Sequence, residues 1–187
     1  MRKIILLIFS LLTLLSSCSK DEDYIRQLNF IGDSMIANWD VETSFPNIIC
    51  ENHGVDGSKI PYLSSFNNLN KDVVVLMGTN NLSGNTTGEQ IEQLVTDYIT
   101  HVCQITNKRL IIISVLPTSD VQKNKAITLF NSRLKALHAT IPNAEFVDCY
   151  SAFLGSNGQI KPDLTREGLH LNDYGYILLT SIVKSYL

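Results

Sequence analysis

The chain has 187 residues and a formal charge of −3, from 15 Lys and Arg against 18 Asp and Glu. That length suits one globular domain with a real core. With no basic run or patch, nucleic acid is not an expected partner.

Taken in chain order, residues 1–17 read as a leader rather than as part of the fold. Arg2 and Lys3 precede an apolar run over residues 4–15, and Ser16-Ser17-Cys18 follows. The run is too short to span a bilayer comfortably. Leu15-Ser16-Ser17-Cys18 resembles a bacterial lipobox, which implies a lipid on Cys18 and a membrane anchor. Residues 18–27 would then be the lipidated cysteine and an acidic tether. Within them Ser19-Lys20-Asp21-Glu22-Asp23 resembles the acidic tag that exports lipoproteins to the cell surface in one phylum of Gram-negative bacteria. The expected location is therefore the outer membrane, with exposure at the cell surface if the tag acts. Residues 28–187 form the expected domain.

Apolar runs of strand length recur at 28–31, 48–50, 73–77, 110–116 and 144–149. Several are rich in Val and Ile without alternation, as in strands buried on both faces. Thr87-Gly88-Glu89-Gln90 reads as a capping box opening a helix with Ile91, Leu94, Val95, Tyr98 and Val102 on one stripe. Ile127, Phe130, Leu134 and Leu137 make a second stripe. A third, after Leu171, carries Ile177, Leu178 and Ile182. All three are expected to face the core. Cys50, Cys103 and Cys149 have no metal-like spacing and are expected as small buried hydrophobes. Alternating strands and helices imply βαβ units and a parallel sheet covered on both faces. Ligands bind beyond the carboxyl ends of such strands.

Four motifs fall at or after those ends: Gly32-Asp33-Ser34, Asn52-His53-Gly54, Gly78-Thr79-Asn80 and Glu167-Gly168-Leu169-His170. A serine where a strand turns into a helix sits among free N–H groups that favour negative charge. It still needs a base to become a nucleophile. His101 and His138 lie in helical patterns, and His53 adjoins Gly54 in an expected loop. His170, just before the last helix, is the best-placed base. Glu167 can orient it, with Asp163 and Asp173 as nearby substitutes. Preorganised donors for an oxyanion each supply roughly 3 kcal/mol. The candidates are the Ser34 N–H, the Gly54 N–H and the Asn80 side-chain amide.

This set resembles the SGNH, or GDSL-type, hydrolase superfamily over residues 28–187. Gly32-Asp33-Ser34-Met35 stands for the Gly-Asp-Ser-Leu block, Gly54 for the second-block glycine and Gly78-Thr79-Asn80-Asn81 for Gly-x-Asn-Asp. Glu167-Gly168-Leu169-His170 stands for Asp-x-x-His. The resemblance implies a flavodoxin-like three-layer α/β/α fold with a five-stranded parallel sheet. It also implies Ser34 as nucleophile, His170 as base, Glu167 as its orienter and an oxyanion hole of Ser34, Gly54 and Asn80. Two departures stand out: Glu167 is one methylene longer than Asp, and Asn81 replaces a supporting Asp.

The expected function is a serine esterase that acts through an acyl-enzyme, without metal or cofactor, on short acyl groups, above all acetyl, of a small-molecule or glycan ester. Little spare sequence remains for a lid or a long acyl tunnel. Trp39 is a candidate sugar-stacking residue, although core is its simpler role. The alternatives are a lysophospholipase or thioesterase on longer acyl chains, an acyltransferase, and a non-catalytic glycan-binding lipoprotein on the same fold. The sequence leaves oligomeric state open.

Overall fold

The computed structural model describes residues 26–187. The leader, Cys18 and the acidic tag lie outside the described residues. Five strands, β1 (Gln27–Gly32), β2 (Ile49–Gly54), β3 (Asp72–Leu76), β4 (Leu110–Ile113) and β5 (Ala144–Val147), form one sheet in the order β2-β1-β3-β4-β5. Every pairing is parallel. This is the flavodoxin-like order, and its switch point lies between β1 and β3.

The helices are α1 (Ser34–Ala37), α2 (Val41–Ser44), α3 (Gly88–Ile105), α4 (Val121–Leu137), α5 (Tyr150–Phe153) and α6 (Asp173–Lys184). Two cores flank the sheet. One joins Phe30, Trp39 and Phe45 to α1 and to the inner face of α6 through Tyr176, Leu179 and Val183. The other packs Ile31, Val73 and Val75 against α3 and α4 through Val95, Tyr98, Ile127 and Phe130. Val73 to Leu76 and Ile111 to Ile113 are fully buried, so the unalternating Val and Ile runs are indeed two-faced strands. The expected architecture is the one observed. β2 runs four residues beyond its expected end, through His53 and Gly54, because edge strands carry polar residues that a hydrophobic pattern does not reveal.

Local signals set the helix starts. Thr87 and Gln90 make both arms of the capping box at α3. The Asp120 carboxylate accepts from the N–H groups of Gln122 and Lys123 at α4. Asn172 accepts from the Gly175 N–H at α6 and also donates to the Asp163 carbonyl, tying helix to loop.

Three core expectations need correction. Ile177 is 66% exposed and Leu137 39% exposed. In α6 the buried stripe is Tyr176, Leu179, Thr180 and Val183, which leaves Ile177 on the outer edge of the helix. Cys103 is exposed, whereas Cys50 and Cys149 are buried as expected. Its position on α3 lies one residue past Val102, outside the buried stripe. No helix among the described residues is long and apolar enough to cross a membrane.

Candidate active site

Strand register brings the motifs together. Gly32 at the end of β1 lies level with Gly54 in β2 and Leu76 in β3. The chain then turns into α1 at Ser34, and Gly78, two residues past β3, opens the turn that carries Asn80. Gly78 has φ of +136°, a conformation that L side chains rarely adopt. A Cβ there would also sit 2.9 Å from Val115 and 3.2 Å from Phe130.

Ser34 Oγ lies 3.0 Å from His170 Nε2. On the far side of the ring, His170 Nδ1 contacts Glu167 Oε1, the same oxygen that accepts the His170 backbone N–H at 3.1 Å. With Nδ1–H donated to Glu167, Nε2 presents its lone pair to the serine. Neither Asp163 nor Asp173 pairs with His170; Glu167 does. The hydrogen bond from the His170 N–H holds the Glu167 carboxyl below its ordinary range, so it is charged at neutral pH. The loop is closed by Arg166 N–H donating to the His170 carbonyl and by Gly168, whose φ is +88°. A Cβ at Gly168 would meet the Ser119 side chain at 2.5 Å.

The three oxyanion candidates sit differently. The Ser34 N–H is the first of α1 and has no acceptor among the described residues. Asn80 donates one amide hydrogen to the Ser58 carbonyl at 3.0 Å, which fixes the amide and leaves its second hydrogen to point elsewhere. The Gly54 N–H is already donated to the Asn52 side-chain oxygen at 2.9 Å. An incoming oxyanion therefore has to share that hydrogen or displace Asn52. Asn81, at the second departure from the family pattern, accepts the Ile60 N–H at 3.0 Å, a supporting role that an amide oxygen fills as well as a carboxylate.

Asn52 and Tyr176 carry no role in the sequence motifs, while Asp33 caps α1. Asn52 donates to the carbonyls of Ile36 and Trp39 while it holds Gly54, so one side chain joins β2 to the end of α1. The Tyr176 hydroxyl donates to the Met35 carbonyl at 3.0 Å and pins α6 to α1. Asp33 is wholly buried: Oδ1 accepts the Met35 N–H at 3.0 Å, and Oδ2 has no hydrogen-bond partner among the described residues. Burial pushes its carboxyl up to about 6, against pulls downward from the Met35 N–H, Thr79 and His170. A polar side chain inside a motif was the only signal for Asn52 and Asp33, and it does not say where the side chain points.

The other candidates sit elsewhere. His53 lies 3.4 Å from Glu51 and packs against Phe66, away from the serine. Trp39 is 2% exposed, and its ring N–H donates to Ser44 and Thr180, so it is core. Among the described residues no group of His, Cys, Asp and Glu is placed to hold a metal ion.

Fold and site together define a class: a doubly wound parallel α/β protein with a serine, a histidine and a carboxylate in line at the carboxyl rim of its sheet. The GDSL-like lipase/acylhydrolase family model matches residues 30–178, and the chain belongs to that family. Among curated proteins, the platelet-activating factor acetylhydrolase IB subunit alpha1 of Rattus norvegicus is 32% identical over 127 residues, 63% of this chain and 51% of its own length. The Mus musculus protein matches equally. The chain thus spans about half the length of these relatives. A solved Streptococcus pneumonia structure, described in terms of platelet activating factor, superposes with a TM-score of 0.74 at 22% identity, covering 89% of this chain and 86% of that one. A GDSL-like lipase from Bacteroides thetaiotaomicron superposes with a TM-score of 0.61 at 19% identity, over 86% and 87% of the two chains.

Proposed function

We propose that the protein is a serine esterase that removes short acyl groups, acetyl foremost, from carbohydrate esters. The observation that carries this is the unbroken contact chain from Ser34 through His170 to Glu167. Ser34 attacks the ester carbonyl while His170 Nε2 takes its proton, and Glu167 steadies the imidazolium that forms. The oxyanion rests on the Ser34 N–H and the free amide hydrogen of Asn80, with the Gly54 N–H shared from Asn52. His170 then protonates the leaving alcohol, and water repeats the cycle on the acyl-enzyme. The word acetylhydrolase in the names of the curated relatives supports the short acyl group.

The anchor at Cys18 and an outer-membrane, surface-facing location belong to the same proposal. The chain enters β1 at Gln27, and Ser34 follows the other end of that six-residue strand. Six residues span about 20 Å. An anchor upstream of Gln27 would join the domain at the end of β1 opposite Ser34, which supports a substrate outside the anchoring membrane.

The experiment is hydrolysis of p-nitrophenyl acetate, butyrate and octanoate by the full-length protein and by Ser34→Ala. Serine-dependent release that is fastest on acetate is the expected result. Release fastest on octanoate would move the substrate to longer acyl chains, and release that survives in Ser34→Ala would remove the mechanism.

A further inference from the structure

A groove of about 660 Å³ runs along the flank of the molecule between the α1–α2 segment and α6. We propose that this groove is the subsite for the sugar portion of the leaving alcohol, so that the enzyme grips an oligosaccharide along α6 while its acetyl group reacts at Ser34. The inference rests on the esterase reading and adds to it where the alcohol lies and what kind of alcohol it is.

Position is the first argument. His170 must protonate the leaving oxygen, so the alcohol leaves on the histidine side of Ser34 and away from the oxyanion donors. The groove lies on that side. Arg166, one residue before Glu167, forms part of its wall, and so does Asp173 in the first turn after the His170 loop. Its other wall begins at Asn38, whose amide donates to the Ser34 carbonyl at 2.8 Å. At the helical rise of about 1.5 Å per residue, Asn38 is roughly 6 Å along α1 from the serine. Asn80 and Asn81, by contrast, hang on Ser58 and Ile60 and lead to the opposite core.

Chemistry is the second argument. The wall sets a guanidinium at Arg166, an amide at Asn38, a carboxylate at Asp173 and a hydroxyl at Ser181 around a mostly apolar lining. Between them lie the apolar surfaces of Tyr176 and Ile177, the latter on the exposed edge of its helix. A sugar has hydroxyl groups that both give and accept hydrogen bonds, and C–H faces that cover apolar surface. Arg166 is also available. Among the described residues, Arg26, Arg109 and Arg133 each pair with a carboxylate, and the Arg166 guanidinium pairs with none.

The groove has length as well. From Asp173 to Lys184, which also borders it, α6 extends about 16 Å. That is room for more than one ring.

The test compares kcat/KM for acetylated xylotetraose and for p-nitrophenyl acetate in the full-length protein, in Ser181→Trp, which fills the groove from an exposed position, and in Arg166→Ala. The ratio of the two constants is expected to fall at least about tenfold in each variant, the effect of losing one or two hydrogen bonds to the sugar. A ratio that stays at the wild-type value overturns the assignment. So does a fall confined to p-nitrophenyl octanoate relative to acetate, which would make the groove an acyl channel. If no ester is hydrolysed at all, the esterase reading fails on its own. The subsite is then decided by binding of unacetylated xylotetraose, which the wild type should show and Ser181→Trp should lose; no binding by either would end it.

Discussion

One oxygen of Glu167 holds His170 twice, at the ring Nδ1 and at the backbone N–H. The extra methylene relative to Asp therefore does not break the alignment; the loop folds so that the longer side chain curls back onto its own turn. The carboxylate is half exposed, with 52% of its side chain open to water, so water screens its charge more than it would a buried orienting group.

Replacing Glu167 by Gln keeps the shape and removes the charge that fixes the imidazole tautomer. A fall in kcat of about 10²-fold to 10⁴-fold is expected, the upper end applying to a buried orienter. Glu167→Asp keeps the charge but shortens the reach, so it should lie between wild type and Gln. Because the carboxyl is held below its ordinary range, its orienting contact is present above that range and is lost only as pH falls through the lowered value. Acidification to about pH 5 should therefore leave Glu167 charged. A Gln variant with wild-type kcat would show that geometry alone orients His170.

Asp33 makes stability depend on pH in the less usual direction. Its folded pKa, about 6, lies above the ordinary 3.8 because of burial. The folded state holds the proton more tightly, so this contribution is fully present below about pH 4 and is lost as pH rises through about 6. Over that window wild type should lose up to about 3 kcal/mol relative to Asp33→Asn. Urea unfolding of both proteins at several pH values reads the difference directly, and a difference independent of pH would mean that Asp33 is charged throughout.

Packing alone requires a glycine at position 54. A Cβ there would lie 2.1 Å from the Ala37 nitrogen and 2.5 Å from its Cα, both backbone atoms of the helix that carries Ser34. Gly54→Ala should cost about 3 kcal/mol of stability through overpacking and shift α1 with Ser34. Thermal unfolding and kcat should fall together; an active enzyme with wild-type stability would contradict the contact.

Asn52→Asp is a near-isosteric test of the bridge between β2 and α1. The carboxylate still accepts from Gly54 but loses both donors to the Ile36 and Trp39 carbonyls and faces them with negative charge. A loss of about 2 kcal/mol is expected, since each lost bond is worth about 1. Unchanged denaturant midpoints would mean that the two bonds add nothing.

Thiol chemistry should separate the three described cysteines. Burial raises the Cys50 thiol to about 11 and the Cys149 thiol to about 12, while Cys103 is exposed on α3. Iodoacetamide on the native protein, read by peptide mass spectrometry, should modify Cys103 well before the other two. Equal labelling would signal an open core.

Local patterns determined much of this protein by themselves. Unalternating Val73 to Leu76 and Ile111 to Ile113 announced two-faced strands, because a residue type buried on both sides leaves no polar period. Thr87 and Gln90 announced the start of α3, because a cap needs only its own four residues. The order of the motifs placed Ser34, Asn80 and His170 on one rim, because parallel strands all end there. Packing decided the rest. The motif named Glu167 among three carboxylates near His170, and the fold of the 165–170 loop puts Glu167 rather than Asp163 or Asp173 on the ring. The Gly54 N–H is occupied because Asn52 two residues earlier turns back along the strand. Ile177 is exposed because α6 is pinned through Tyr176 and Met35, which sets its rotation and opens a groove beside Arg166. Each is a matter of where a side chain points after residues far apart in the chain have met, and no local period carries that information.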